Sequence, residues 1–289
     1  DSLSLRGMFE YPMLNGVLDL SLFGGFLAAI AYSAFTLNFG IRLARKTAPA
    51  NLVSYVFVAA LLGSALWAWL GLVSDGLHAS SPLELLALPL ADLLRYGLWF
   101  GFVLLLLRPD SPIKGRGDLR VFIILAAISI CASLLIFLAR ESGADWAGAL
   151  DRPTAFASLA QAVVGLILIE QLLRNVSDDT RWNAKPVCLG LGAIFVFDLF
   201  VFSQAALFRK FDSDALSVRA AVHSAAVPLL FMASRRHADW LDKLHVSRAA
   251  VFHSATLLLV GAYLLMISAV GYYVRYTGGE WGRALQLAL

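Results

Sequence analysis

Charged side chains are scarce in this 289-residue chain, where Asp, Glu, Lys and Arg together make up 15% of the residues. Soluble domains carry about 25% of these residues. Hydrophobic residues account for 60% of the chain, and the mean hydropathy is +0.75. A water-soluble fold cannot bury so much apolar side chain, because too much of a protein this size lies at its surface. The composition therefore excludes an ordinary soluble domain and predicts a protein whose solvent is lipid.

Cysteine is sparse as well, with two residues in the chain, Cys131 and Cys188. Both lie inside apolar segments, where we expect neither a disulfide nor a metal site. The net charge of +3 is small. We attribute it to an uneven distribution of basic residues between loops, and we expect no nucleic-acid partner.

The sequence motifs of catalysis are missing too. The chain has no P-loop and no GxGxxG, HExxH, GxSxG or CxxC motif, and no histidine stands in the pattern of a phospho-accepting helix. We therefore predict no catalytic residue, no metal ligand and no cofactor within this segment.

What the chain does contain is a series of long apolar segments, which predict an all-α fold, a polytopic transmembrane helix bundle. A helix of about 20 residues crosses a bilayer core and satisfies its own backbone groups there. We expect about eight spans and, at 284–289, the start of a ninth that the end of the chain cuts off. The eight cover residues 17–43, 52–73, 83–107, 119–138, 154–173, 186–207, 216–233 and 249–274. Residues 1–16 are expected to be a poorly ordered leader, and 17–289 a single transmembrane domain.

The orientation follows from the basic residues between the predicted spans. One set of connections holds fourteen Lys and Arg residues and the other set holds seven. Positive charge favours the cytoplasmic side of a membrane. The richer set is therefore predicted to be inside, the N-terminus outside, and the chain is expected to return to the cytoplasm after residue 289.

Five ionisable residues stand out within the predicted spans, where such groups are costly and indicate function by default. They are Asp92, Arg95, Asp198, Arg219 and His223. Asp92 and Arg95 are three residues apart on one helical face and can pair. Asp92, Arg95, Asp198 and His223 are expected in one middle-to-outer layer of the membrane, with Arg219 one turn away near the outer boundary. They can therefore form one polar cluster. It would act either as a sensing or proton-responsive site, since histidine titrates near neutral pH, or as a network that fixes helix packing.

Three further polar residues lie near span ends. Glu170 and Arg174 are four residues apart and are expected to pair at the boundary while reaching for the headgroups. His253 is predicted to be a boundary histidine with a structural role.

Parts of the chain from about Leu27 onward resemble a known family, the PrsK-type sensor histidine kinases associated with exosortase/PEP-CTERM systems, in their N-terminal membrane region. The residues that carry this resemblance are short strings of ordinary side chains. They are Ser64-Ala65-Leu66-Trp67, Leu94-Arg95-Tyr96, Glu170-Gln171-Leu172-Leu173-Arg174-Asn175, Arg181-Trp182 with Lys185, Cys188-Leu189-Gly190-Leu191-Gly192, Asp198, Val246-Ser247-Arg248, Val251-Phe252-His253, Gly271-Tyr272-Tyr273-Val274-Arg275-Tyr276, Gly278-Gly279 and Trp281-Gly282.

The resemblance implies a bacterial inner-membrane sensor whose kinase core follows this segment. That core would bind ATP and Mg, form a homodimer, phosphorylate its own histidine and pass the phosphoryl group to a response regulator. None of the core lies in these residues, so no catalytic residue of the family is assigned to a position here.

Three functions remain open at this point. The leading hypothesis is the signal-input region of a two-component sensor histidine kinase that controls exopolysaccharide or PEP-CTERM-related genes. The alternative is a small-solute or ion transporter or channel that uses the polar cluster as its pathway. A membrane enzyme acting on lipid-linked substrates through His223 or His253 is the third. The lipid bilayer is a partner in every case.

Overall fold

The computed structural model describes residues 3–47, 50–76, 82–108, 116–142, 151–175, 178–208, 211 and 213–236. These residues form seven α-helices, and the all-α prediction is confirmed for them. The helices are α1 (Leu3–Ala44), α2 (Leu52–Gly76), α3 (Pro82–Leu106), α4 (Arg116–Glu141), α5 (Asp151–Asn175), α6 (Asp178–Phe208) and α7 (Ser213–Arg236). Helix α1 begins at Leu3, so it includes most of the predicted leader; the division into leader and membrane domain stays a prediction.

Six of the helices are long and apolar enough to cross a membrane, so the chain is a multi-span membrane protein. The candidate spans are Leu22–Ala44, Leu52–Ser74, Leu86–Leu106, Leu119–Glu141, Arg152–Asn175 and Ala184–Phe208. The described residues thus support six spans and not the predicted eight with a partial ninth. The predicted spans at 249–274 and 284–289 lie outside the described residues.

The predicted span at 216–233 lies within helix α7, which is not among the six candidate spans of the described residues. Arg219, His223 and Ser224 of α7 are buried inside the protein, whereas Pro228 and Met232 are exposed. The helix therefore directs polar groups at the other helices and apolar side chains outward.

The helices pack as a closed ring. Helix α1 packs against α2 and α7, α2 against α3, α3 against α5, α5 against α6, and α6 against α7; α4 lies across α3 and α5. Helices α1, α3, α5 and α7 therefore all finish at one end, which bears Arg42, Arg108, Arg174 and Arg235 and is called the basic end below.

Aromatic side chains fill the interior of the helix bundle toward the basic end. The ring of Phe57 lies 5.2 Å from that of Phe39, 6.1 Å from that of Trp99 and 5.0 Å from that of Phe102. The indole Nε1 of Trp99 donates a hydrogen bond to Ser64 Oγ at 3.0 Å, so its polar atom is satisfied while the ring is fully buried. The core is therefore apolar toward the basic end, and the ionisable residues lie in its other half.

Candidate functional site: a buried charge cluster

The structure brings together the five ionisable residues that the sequence singled out, Asp92, Arg95, Asp198, Arg219 and His223, called the charge cluster below. Helix α3 supplies the first two, α6 supplies Asp198 and α7 supplies Arg219 and His223. Asp198 is fourteen residues from the start and ten from the end of its span Ala184–Phe208, or roughly 21 and 15 Å along the helix. The cluster therefore lies deep within the bundle.

Asp198 and Arg219 form the centre of the cluster through two parallel hydrogen bonds. Arg219 Nε donates to Asp198 Oδ1 at 2.6 Å, and Arg219 Nη2 donates to Oδ2 at 3.1 Å. The Asp198 side chain is 0% exposed. A fork of this kind is the strongest pairing available to a carboxylate, because both oxygens accept from one rigid, permanently charged group.

Asp92 joins the two arginines from the edge of the cluster. It accepts from Arg95 Nε at 2.9 Å and Nη2 at 2.7 Å, and from Arg219 Nη1 at 2.9 Å. Its side chain is 21% exposed, whereas those of Arg95, Asp198, Arg219 and His223 are all at 8% or less. Asp92 is therefore the member of the cluster through which the surroundings can reach the rest.

The protonation state of His223 follows from its neighbours. Arg95 Nη1 lies 3.1 Å from His223 Nδ1, and an arginine can only donate. The Nδ1 atom must then be an unprotonated acceptor, which leaves the proton on Nε2, 3.2 Å from Asp198 Oδ1. His223 is thus a neutral imidazole that accepts from Arg95 and donates to Asp198.

The charges of the cluster balance. Two carboxylates face two guanidinium groups and a neutral imidazole, so the net charge is zero. An unpaired charge in a dry interior destabilises a protein by several kcal/mol, whereas a fully paired and hydrogen-bonded set can be buried. Protonating His223 would add a third positive charge and would break its contact with Arg95. The geometry therefore favours a network that fixes helix packing over a proton-responsive site.

Three aromatic residues that sequence reasoning missed complete the cluster. Tyr96 donates its hydroxyl to Asp198 Oδ2 at 2.5 Å. The ring of Trp67 on α2 lies 4.7 Å from Arg95 Cζ, 5.1 Å from Arg219 Cζ and 4.9 Å from the His223 ring. On α1, Tyr32 donates to the backbone oxygen of His223 at 3.2 Å. One signal was available for Trp67, because it sits within its span and not at an end, where tryptophan usually lies.

A close contact between α5 and α6 supports Tyr96 from behind. The Tyr96 ring stacks on Phe195, with centroids 5.9 Å apart and an interplanar angle of 21°. Phe195 lies directly over Gly165, where an added Cβ would stand 2.7 Å from the ring. Gly165 thus lets the two helices approach closely enough for Phe195 to hold Tyr96 against Asp198.

The remaining predicted site residues lie elsewhere. Glu170 and Arg174 form an ion pair near the basic end, as the sequence predicted. Glu170 Oε2 is buried and has no hydrogen-bond partner among the residues that the structure describes. His253 lies outside the described residues, so its predicted boundary role stays a prediction.

Chemically, this arrangement is a charge-neutral network that connects helices. In the part of the chain that the structure describes, no three His, Cys, Asp or Glu side chains are placed to hold a metal ion. The polar atoms of the cluster bind one another, and through Tyr32 and Trp67 the contacts extend to α1 and α2.

The fold and the cluster together define a multi-span helical membrane protein with an intramembrane ion network. No protein-family model, no curated protein and no solved structure matches the chain.

Proposed function

We propose that this chain is the membrane-embedded signal-input region of a two-component sensor histidine kinase. One observation supports the proposal above all, namely that a single neutral cluster joins helices across the interior of the ring. Helix α3 packs against α2, α4 and α5, while α7 packs against α1 and α6. Arg95 and Asp92 of α3 nevertheless reach Arg219, Asp198 and His223 through side-chain contacts alone.

Such a network has few intermediate arrangements, because displacing one member leaves another charge unpaired in a dry interior. The cluster can therefore hold the ring in one of two states, and a stimulus that favours the second state would displace α7 relative to α3. A coupling of about 1–3 kcal/mol suffices for roughly 5- to 150-fold control of an output.

We propose that the basic end lies in the cytoplasm and the N-terminus on the outer side of a bacterial inner membrane, because basic residues collect at cytoplasmic helix ends. After residue 289 the chain would return to a kinase core that binds ATP and Mg, forms a homodimer and phosphorylates a response regulator for exopolysaccharide or PEP-CTERM-related genes. The kinase core, its ligands and its partners are proposed from the family resemblance.

The test is a chromosomal Asp198→Asn substitution with Glu170→Gln as the matched control. Both remove one carboxylate charge, but only Asp198 belongs to the cluster. We expect the first variant alone to change response-regulator phosphorylation, measured on phosphate-affinity gels. Unchanged phosphorylation in an Asp198→Asn variant that is inserted at normal abundance would refute a signalling role for the cluster.

Transport is the second candidate, and the partial exposure of Asp92 favours it, because a pathway needs an opening to water. Flux measured in proteoliposomes separates the two functions. Loss of solute or ion flux in Asp92→Asn, with phosphorylation unaffected, would favour a transporter or channel.

A further inference from the structure

At the basic end, the seam between α1 and α7 brings two arginines to one place. Arg42 on α1 reaches the backbone oxygen of Ser234, the residue that precedes Arg235 on α7. Arg42 is half-buried and Arg235 is exposed. Among the described residues no carboxylate pairs with either of them.

Both arginines are held in place by other contacts. Arg42 Nη1 donates to the backbone oxygen of Ser234 at 2.9 Å and so caps the last turn of α7. Arg42 Cζ lies 5.7 Å from the ring of Phe39, and Arg235 Cζ lies 5.5 Å from that of Phe231. Phe35 contacts both rings, at 6.5 and 5.4 Å. The connected rings of Phe35, Phe39 and Phe231 therefore hold both arginines at the same end of the seam.

The end of α1 adds a third cation in an unusual backbone conformation. Lys46 has a φ of 56°, a left-handed geometry that usually selects glycine at a helix end. Hydrogen bonds from Lys46 N to Leu43 O at 3.1 Å and from Thr47 N to Arg42 O at 2.9 Å complete this helix end. Lys46 therefore adds a positive charge about one turn after Arg42.

We propose that Arg42 and Arg235 together bind the phosphate of an anionic phospholipid headgroup at the basic end of the α1–α7 seam. Two guanidinium groups at one end of the seam offer several N–H donors to phosphate oxygens, and the anion would offset their two positive charges. The site lies where α1 ends, which is the depth of headgroups for a membrane-spanning helix. Ile41 and Met232 are exposed near the same helix ends and offer apolar surface to acyl chains. This inference goes beyond the proposed function and does not depend on it.

Titration of the purified full chain with phosphatidylglycerol and, separately, phosphatidylcholine, followed by native mass spectrometry, tests the proposal. We expect preferential binding of phosphatidylglycerol. Arg235→Gln should weaken that binding about fivefold, which corresponds to the loss of one cation at a membrane surface. Arg235 is the residue to change first, because Arg42 also caps α7 and its loss could disturb the fold.

Arg108→Gln is the matched control, since Arg108 is an exposed arginine that follows α3 at the same end. Equal weakening by Arg108→Gln and Arg235→Gln would overturn the proposal, because it would show a general surface attraction. Displacement of phosphatidylglycerol by a tenfold excess of inorganic phosphate would also overturn it, because the site would then bind free phosphate and not a lipid. In nanodiscs, phosphatidylglycerol should raise the unfolding temperature of the native chain, and that of Arg108→Gln, more than that of Arg235→Gln.

Discussion

Asp198 is the residue on which the charge cluster depends, because four side chains bind its two oxygens. Replacing it by asparagine keeps the volume but leaves the guanidinium groups of Arg95 and Arg219 with Asp92 as their single counter-charge. We predict that Asp198→Asn lowers the free energy of unfolding by about 3–5 kcal/mol, the range for breaking a buried ion pair. Unfolding by denaturing detergent in mixed micelles measures it.

Two variants accompany this measurement. Glu170→Gln removes a carboxylate outside the cluster that is engaged by one arginine only, Arg174, so it should lower stability by less than Asp198→Asn. The double variant Asp198→Asn/Arg219→Gln restores neutrality and should recover part of the loss. An Asp198→Asn variant as stable as Glu170→Gln would contradict the charge-balance argument.

Tyr96 allows a finer test, since a single oxygen atom can be removed. Tyr96→Phe keeps the ring stacked on Phe195 and deletes the donor to Asp198. A hydrogen bond to a charged group contributes about 1.5–3 kcal/mol, so we predict a loss of that size in the same detergent-unfolding assay. Tyr55→Phe, at a residue that is 56% exposed, serves as the control and should have little effect. A near-equal effect of the two substitutions would argue against Tyr96 as part of the cluster.

The sequence revealed the charged members of the cluster and missed its aromatic members for one reason. An ionisable residue in an apolar segment is exceptional, because its transfer into lipid is costly, so Asp198 and His223 stand out individually. A tyrosine in such a segment is ordinary, and Trp67 is marked only by its distance from the ends of its span. The importance of Tyr96 and Trp67 comes from what lies opposite them in the fold, which a single sequence does not contain.

The contact between α5 and α6 is linked to the cluster through Phe195 and Tyr96. Gly165→Ala would place a methyl group 2.7 Å from the Phe195 ring, so the ring or the helix must shift. We predict a loss of about 1–3 kcal/mol of unfolding free energy, the usual range for overpacking a core. Gly192→Ala on α6 is the matched control, because a Cβ there meets nothing within 4 Å. If both variants unfold at the same detergent concentration, the close approach at Gly165 is not needed for stability.

Helix α7 is the described helix whose place in the membrane the six candidate spans leave open. Its polar residues are directed at Asp92 and Asp198 and not at lipid, so we predict that α7 crosses the bilayer with its partners. A cysteine at the exposed position Ala225, in a Cys131→Ser/Cys188→Ala background, should resist a water-soluble maleimide. Lys46→Cys in the same background should react. Equal labelling of the two sites would place the outer face of α7 in water.

The molecule as a whole is a ring of helices with aromatic packing toward the basic end and a charge cluster in the other half. Composition was sufficient to predict an all-α membrane bundle, because lipid requires helices that satisfy their own backbone groups. The predicted count of eight spans was not reached among the described residues. The predicted spans at 249–274 and 284–289 lie outside those residues, and α7 is the described helix that is not a candidate span.

The central claim is that the charge cluster sets the position of α7 relative to α3. Spin labels at Arg108→Cys and Met232→Cys, in the same cysteine-substituted background and in nanodiscs, would report the distance between α3 and α7 at the basic end. Pulsed electron paramagnetic resonance measures that distance. We predict that Asp198→Asn shifts or broadens the distance distribution while Glu170→Gln leaves it unchanged. A folded Asp198→Asn protein with the native distribution would contradict the claim.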